Sequence, residues 1–153
     1  MDNQSIAQRF QQLATLMEIR GDDPFRLRSY RNASEAIETW PVAVADIAMS
    51  EGLPGLQGIP GVGKAIALKI LDLVERGTFD AWEKLTAETP ATVLELLEIP
   101  GVGPKTAALL HTKFKITSRA DLKTFVSGGG LEMVDGIGPK SAERIKASLD
   151  LVD

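Results

Sequence analysis

One loop pattern occurs three times in this chain of 153 residues, at residues 59–64, 99–105 and 134–140. Each copy reads apolar residue, any residue, glycine, apolar residue, glycine, followed by a lysine one or two positions later. Each copy also follows an apolar segment and opens a helical one. A glycine turn at a helix start leaves backbone N–H groups without intrahelical partners at the positive end of the helix dipole. The repetition therefore predicts a surface that binds successive phosphate groups.

The composition is that of a globular protein, with 44% apolar and 25% charged residues. The absence of cysteine excludes disulfides, thiolate metal sites and thiol nucleophiles, and a single histidine, His111, cannot build a multi-histidine metal site. No apolar run approaches the roughly 18 residues of a membrane span. The N-terminus has no basic region before an apolar stretch. We therefore expect a cytoplasmic protein with no membrane partner.

The charge is unusual for a protein that binds nucleic acid, because 17 basic residues face 21 acidic ones and the net charge is −4. The imbalance lies in residues 1–97, with 9 basic and 14 acidic side chains, whereas residues 98–153 hold 8 basic and 7 acidic ones. The second loop is followed by the basic set Lys105, Lys113, Lys115, Arg119 and Lys123. We expect this loop to be the best phosphate site, and the third to be weaker because Asp135 adjoins its first glycine. Binding should be weak to moderate and sensitive to salt.

Helical periodicity runs through the chain and no segment alternates as a strand, which predicts an all-α fold. Helix starts are predicted at Ser5 with Gln8, Asp23 with Pro24, Thr89 with Pro90, and Ser118 with Asp121. Glycines predict helix ends at Gly21 and Gly77. Residues 127–130, a serine and three glycines, predict a flexible joint.

Small residues follow each loop early in the next helix: Ala65, Ala107 and Ala142. They let two helices approach closely across a tight turn, as in a helix-hairpin-helix element. A single Gly-x-Gly sequence is also compatible with a plain turn between helices. Three copies in the same context, each with a trailing lysine, favour phosphate binding.

The whole chain resembles the N-terminal region of family X DNA polymerases, particularly the bacterial ones. The matching stretches are residues 24–33, 59–70 and 77–79 and the second and third loops. The resemblance implies a four-helix lyase-type domain with the first hairpin at residues 1–78. It implies a fingers-like domain with two further tandem hairpins at 79–153. The chain has no Asp-x-Asp pair and no strand-like segment for a polymerase palm, so we expect no polymerase activity from it alone.

The resemblance also implies a tentative enzymatic site. In the lyase-type relatives a lysine after the first loop forms a Schiff base with a sugar aldehyde, and the matching position is Lys69. Arg26 and Tyr30 match residues around the 5′-phosphate. However, Ala65 stands where those lyases place another phosphate-binding lysine, and Phe25 stands where some have histidine. The alternative for Lys69 is an ordinary solvated lysine on a helix.

A monovalent cation, potassium or sodium, is a further implication of the resemblance. It would lie on backbone carbonyl groups of the first two loops and bridge to a DNA phosphate. The carbonyl groups concerned are those of Ile59, Gly61, Ile99 and Gly101. No other cofactor is expected.

Three functions remain open at this point. The first is DNA binding without sequence preference, to duplex, gapped or nicked DNA, by a chain that we expect to be a monomer. Its predicted contacts are Gly61, Gly63, Lys64, Gly101, Gly103, Lys105, Gly136, Gly138, Lys140, Arg26 and Tyr30. The second is a 5′-deoxyribose-phosphate or abasic-site lyase that uses Lys69. The third is a scaffold for protein–protein interaction.

Overall fold

The computed structural model describes residues 1–150, and these are helical with no strand, which confirms the all-α prediction. The α-helices are α1 (Asn3–Arg20), α2 (Pro24–Glu38), α3 (Val44–Leu56), α4 (Lys64–Arg76), α5 (Asp80–Glu88), α6 (Pro104–Phe114), α7 (Arg119–Ser127) and α8 (Pro139–Ser148). Two 3₁₀ helices span Ala91–Glu98 and Gly130–Met133. None of the helices in this part of the chain combines the length and the hydropathy needed to cross a membrane.

The chain divides into two compact units, and the first comprises Met1–Glu88. The second unit begins at Thr89. The boundary lies ten residues beyond the one drawn from the sequence, because Phe79 and α5 belong to the core of the first unit. The ring of Phe79 lies 5.6 Å from that of Phe10 in α1, and the Arg9 guanidinium lies 4.5 Å from the centre of the Trp82 ring. Positions 151–153 of the second predicted domain lie outside the described residues.

The first unit is built around α1, which packs against α2 and α5, while α3 packs against α4. Three near-parallel rings form the centre of its core. Phe10 lies between Tyr30, at 6.1 Å and 21°, and Phe79, at 5.6 Å and 15°. Phe10 and Phe79 are fully buried and Tyr30 nearly so. Aromatic packing of this kind dominates core energetics because each ring buries a large apolar area.

The start of α1 differs from the prediction. Asp2, not Ser5, is the N-cap, and its carboxylate accepts the N–H of Ser5 at 2.7 Å. The helix begins earlier because Asn3 is held by a distant segment: its side-chain amide donates to the carbonyl of Val42 at 2.9 Å and its oxygen accepts the N–H of Val44 at 2.8 Å. The next start is confirmed, since Asp23 caps α2 and Pro24 is its first residue.

The second unit has an aliphatic core, and the segment predicted to start a helix at Thr89 and Pro90 is the Ala91–Glu98 3₁₀ helix. Ser118 caps α7 as predicted, by accepting the N–H of Asp121 at 3.1 Å. The predicted flexible joint at residues 127–130 is wrong. Gly130 is buried, and a methyl group on it would lie 2.5 Å from the ring of Phe125, so the glycine is required by close packing.

Candidate nucleic-acid interface

Loop 1 (residues 59–63) and loop 2 (residues 99–103) form the same turn. In each, the N–H of the valine donates to the carbonyl of the isoleucine three residues earlier, at 3.0 Å. Proline occupies the second position and glycine the third, with φ of +88° at Gly61 and +97° at Gly101. These are the features of a type II turn, whose third position requires positive φ and therefore favours glycine. The buried isoleucine and valine fix the turn to the core.

The second glycine of every loop is the N-cap of the helix that follows. Gly63, Gly103 and Gly138 are extended, and no side chain caps α4, α6 or α8. Each glycine carbonyl accepts the N–H of the alanine four residues later, at 2.9 Å. All three glycines are exposed, and a methyl group on any of them would meet nothing within 4 Å. Each loop therefore presents an open helix N-terminus with unpartnered N–H groups to solvent.

The three N-termini do not offer the same donors. Pro104 and Pro139 are the first residues of α6 and α8 and have no N–H, whereas Lys64 begins α4 and has one. Loop 1 therefore has one more backbone donor in its first turn. The lysines of the motif, Lys64, Lys105 and Lys140, are all exposed.

Loop 3 (residues 134–138) departs from the other two. Asp135 replaces the proline, and among the backbone hydrogen bonds of residues 1–150 none joins the N–H of Ile137 to the carbonyl of Val134. Gly136 keeps the left-handed conformation, with φ of +89°. Ile137 is half-buried, whereas the matching valines are buried. This looser turn and its carboxylate agree with a weaker phosphate site, which stays a prediction.

The second unit brings two of the loops together. A methyl group on Gly101 would lie 3.3 Å from the carbonyl oxygen of Ser141 and 3.4 Å from the side chain of Ile145. Ser141 is the third residue of α8, so the N-terminus of α8 lies beside loop 2. In the first unit, Gly61 instead lies near the middle of α2, where a methyl group would be 3.9 Å from the carbonyl of Asn32. In the second unit, therefore, the N-terminus that follows one glycine loop lies beside another glycine loop.

The basic set that follows loop 2 in sequence is divided in space. Lys105 stands at the start of α6, whereas Lys113 and Lys115 stand at its other end. At about 1.5 Å of rise per residue, this helix separates its two ends by about 15 Å. Of Lys105, Lys113 and Lys115, only Lys105 therefore lies at loop 2. The six ion pairs found among residues 1–150 all lie in the first unit, so the cations of the second unit face solvent without a paired carboxylate.

The residues of the tentative lyase site surround Tyr30. The Nζ atom of Lys69 lies 5.8 Å from the centre of the Tyr30 ring, and Lys69 is half-buried. On another side, Tyr30 and the exposed Arg26 line a cavity of about 180 Å³ together with Arg20 and Lys84. Arg20 also pairs with Asp22 and Glu88 at 2.9 and 2.7 Å, and its hydrogen bond to the Asp22 carboxylate is the main cause of its raised pKa. The sequence groups Arg20 with Arg26, Arg28 and Arg31 in a basic cluster but does not assign it to this site, and it gives no signal for Lys84, because only the fold brings α1, α2 and α5 to one cavity.

The groups that could hold an ion are the backbone carbonyl oxygens of loops 1 and 2. Among residues 1–150, no group of three or more His, Cys, Asp or Glu side chains lies together. The carbonyls of Ile59 and Ile99 each accept the turn hydrogen bond, while those of Gly61 and Gly101 accept none of the backbone bonds in this part of the chain. Carbonyl oxygens suit hard monovalent cations such as potassium. These carbonyl groups therefore fit the implied ion, which stays a prediction.

Two family models match the chain. Residues 1–79 match a helix-hairpin-helix domain, and residues 93–150 match a SAM-like helix-hairpin-helix tandem. These ranges contain loop 1 and loops 2 and 3, respectively. The second match describes two helix-hairpin-helix elements in tandem, which agrees with the position of loop 2 beside the N-terminus of α8.

Several curated proteins are similar to this chain. The DNA polymerase/3′-5′ exonuclease PolX of Bacillus subtilis is 28% identical over 97% of this chain and 25% of its own length. DNA polymerase lambda of Arabidopsis thaliana is 30% identical over 72% of this chain and 20% of its own length. The Holliday junction branch migration complex subunit RuvA of Albidiferax ferrireducens is 32% identical over 60% of this chain and 48% of its own length. The chain thus spans between a fifth and a half of these relatives.

The two polymerases confirm the resemblance to the helix-hairpin-helix region of family X polymerases that the motifs indicated. The first family model alone covers more than half of the chain. The chain therefore belongs to the helix-hairpin-helix family.

Proposed function

We propose that this chain binds DNA without sequence preference, through backbone N–H groups that donate to the phosphates. The observation that carries the proposal is the open helix N-terminus at Gly63, Gly103 and Gly138, where exposed N–H groups have no capping side chain. Such termini bind phosphate because the unpartnered donors and the helix dipole act together. The names of the similar proteins, two DNA polymerases and a Holliday junction subunit, support DNA as the ligand.

The adjacent N-termini of α6 and α8 favour a duplex as the form of DNA. Two neighbouring phosphate sites suit the two strands that border the minor groove, and a monomer supplies both. Gapped and nicked duplexes present the same pair of strands. With this function, we expect the chain in the cytoplasm, associated with the nucleoid.

Sequence-independent binding agrees with the available side chains. Phosphate contacts carry no base information, and reading base sequence requires contacts in a groove. The two tryptophans, Trp40 and Trp82, are half-buried and leave Phe25 as the exposed large aromatic ring of the first unit, which is a poor stacking surface for single-stranded DNA and favours a duplex. Affinity should fall as salt rises, because binding releases counterions from the DNA.

The loops further support a monovalent cation as part of the complex. A potassium or sodium ion on the carbonyls of Ile59 and Gly61, or of Ile99 and Gly101, would neutralise charge between the turn and a phosphate. Replacing potassium by a large organic cation at constant ionic strength should then weaken DNA binding. Affinity that does not change would contradict the ion.

The substitution Gly103→Asp tests the DNA-binding proposal. Asp is a good N-cap, so α6 should be as stable as before or slightly more stable. The carboxylate would nevertheless occupy the N–H groups and repel phosphate. Hydrogen bonds to charged groups contribute about 1.5–3 kcal/mol, so duplex affinity should fall by roughly tenfold to a hundredfold. Gly101 is less suitable, because a side chain there would meet Ser141 and Ile145.

Gly128→Asp is the matched control, since Gly128 is exposed, has a φ of −84° and lies outside the loops. It introduces the same charge and should change affinity little. Fluorescence anisotropy with a labelled duplex at several salt concentrations gives both affinity and salt slope. If Gly103→Asp folds and binds as well as wild type, loop 2 is only a turn. Binding that is indifferent to salt would instead favour a protein-interaction scaffold.

A second candidate function is lyase activity on a 5′-deoxyribose-phosphate or abasic end. The observation that favours it is the contact of Lys69 with Tyr30, whose ring also borders a cavity lined by Arg20, Arg26 and Lys84. The amine of Lys69 would add to the C1′ aldehyde and expel water to give a protonated imine. The imine acidifies the C2′–H bond, and loss of that proton to water allows elimination of the phosphate.

Borohydride trapping tests the lyase candidate. Reduction of the imine should link wild-type protein to an incised abasic-site duplex. Lys69→Ala should abolish the adduct while duplex affinity stays unchanged, and Lys64→Ala is the matched control that should keep it. Trapping that survives Lys69→Ala would exclude Lys69 as the nucleophile. No trapping by wild type would leave DNA binding as the function.

A further inference from the structure

A set of four cations begins at the end of α6 that lies away from loop 2 and continues into α7. Lys113 and Lys115 end α6, and Arg119 and Lys123 lie in the first turns of α7; we name this set the distal basic end. The guanidinium of Arg119 donates to the carbonyl of Ser148, the last residue of α8, at 2.6 Å. Both α6 and α8 therefore begin at the loops and end at this surface.

Two carboxylates near the distal basic end accept hydrogen bonds from other donors, whereas the exposed Asp150 follows Ser148 closely and adds one negative charge there. Asp121 accepts the N–H of Thr117 at 3.1 Å and its hydroxyl at 2.8 Å. Glu95 accepts the backbone N–H of Arg119 at 3.0 Å. None of the four cations forms an ion pair with a carboxylate of residues 1–150. Their side-chain charge is therefore available to an anion outside the chain.

The backbone of Lys115 gives a second, independent indication. Lys115 ends α6 in the left-handed conformation, with φ of +59°. Glycine is favoured there because it lacks a Cβ atom, and α1 and α4 do end on glycines in that conformation, Gly21 and Gly77. Lys113 already supplies a cation to the last turn of α6. Lys115 thus occupies a position where glycine would be more stable.

We propose that the distal basic end binds a second DNA segment, so that one chain bridges two duplexes; this rests on the proposed binding of a first duplex by the loops. The N-termini of α6 and α8 would point at the first duplex, so their C-terminal ends point away from it. A length of about 15 Å separates the two surfaces along α6. The helix C-termini carry partial negative charge, so the second segment is held by full side-chain charges alone.

Capture of a second duplex tests the bridge. Wild-type protein is loaded on an immobilised duplex, washed, and offered a fluorescently labelled duplex at increasing salt. Wild type should capture the second duplex. Replacing Lys113 and Lys123 by alanine and Lys115 by glycine should lower the salt slope of capture by about 2.7, or 0.9 for each cation, with the first duplex bound normally. Arg144→Ala, an exposed change on α8, is the control for the loss of one charge outside the distal basic end and should leave capture nearly unchanged.

The single change Lys115→Gly has two expected effects of opposite sign. It should raise the thermal midpoint of the second unit by about 4 °C while capture weakens. Lys115→Arg should keep capture, because the charge remains. A role for Lys115 in helix stability alone would lower the midpoint of Lys115→Gly and leave capture unchanged.

Three results would overturn the bridge. The first is normal binding of the first duplex with no capture of the second, and the second is unchanged capture by the triple variant. The third is a Lys115→Gly variant with a lower thermal midpoint and unchanged capture. Failure of the proposed DNA binding is distinguishable. It would appear at the loading step, where wild-type protein would not stay on the immobilised duplex, and it would overturn both proposals.

Discussion

The two units use the same glycine loop in different surroundings. The first unit has one loop, an aromatic core and all six ion pairs of the described residues. The second has two loops side by side, an aliphatic core and cations without paired carboxylates. Residues 1–88 hold 9 basic and 13 acidic side chains, whereas residues 89–153 hold 8 of each. From this difference we expect the second unit, with its two neighbouring loops and its unpaired cations, to bind phosphate more strongly than the first.

The comparison assigns different tasks to the units. In the second unit, loop 2 lies beside the start of α8, which suits two strands of one duplex. In the first, loop 1 lies against α2, and Arg31 of that helix is paired with Glu18 at 3.2 Å. We therefore expect the second unit to supply most of the DNA affinity.

The largest expected effect tests whether the units are energetically separate. Phe10→Ala removes the central ring of the aromatic stack and should lower the unfolding free energy of the first unit by about 3–5 kcal/mol. Both tryptophans lie in the first unit, so their fluorescence follows that unit alone. Circular dichroism also follows the helices of the second unit. In thermal unfolding, the midpoint measured by fluorescence should fall. The midpoint of a second transition, which circular dichroism alone detects and which belongs to the second unit, should stay unchanged.

Phe25→Ala is the matched control for that experiment. Phe25 is 76% exposed, so its removal should change stability by no more than about 0.5 kcal/mol. If Phe10→Ala shifts both transitions by the same amount, the units unfold as one and the comparison between them fails.

The next largest effect ranks the three loops by their contribution to duplex affinity. Gly63→Asp, Gly103→Asp and Gly138→Asp introduce the same side chain at the same N-cap position. We expect loop 2 to lose about tenfold or more in duplex affinity and loop 1 about threefold, within the range of charge-assisted hydrogen bonds. Thermal midpoints should be equal to wild type or higher. A greater loss at loop 1 would mean that its extra donor, the N–H of Lys64, outweighs the free cations of the second unit.

The smallest effect is a dependence on pH. The backbone N–H of Thr117, and then its hydroxyl, lower the pKa of Asp121 below the ordinary 3.8. Because the folded-state pKa is depressed, the stability that Asp121 contributes is present above pH 3.8 and is lost as the pH falls below it. Asp121→Asn keeps hydrogen-bond acceptors but cannot ionise. Its second-unit thermal midpoint should fall less between about pH 5 and pH 3 than that of wild type, and an equal fall would contradict this role.

Much of the fold follows from local patterns. Asp23 with Pro24, Ser118, Gly21 and Gly77 begin or end helices as predicted, because caps and left-handed glycines act through bonds to nearby residues. The three loops could be predicted for the same reason. The start of α1 could not, because Asn3 is fixed by Val42 and Val44, which are distant in sequence.

The remaining differences come from tertiary packing. Gly130 was predicted as part of a joint, yet the ring of Phe125 excludes any side chain there. The unit boundary depends on the contact of Phe79 with Phe10. The basic set after loop 2 is continuous in sequence, but α6 carries Lys113 and Lys115 to the far end. Proximity along the chain was thus a poor guide to which cations lie at a phosphate site.

The claim that backbone N–H groups hold the DNA is tested most directly by ¹H–¹⁵N NMR titration with a short duplex. We expect the largest shift changes at the amides of Gly103, Lys105 and Thr106, then at those that follow Gly138, with smaller changes at loop 1. They should saturate together with the affinity measured by anisotropy. Large changes confined to lysine-bearing surfaces away from the loops, with the loop amides unmoved, would contradict binding through the helix N-termini.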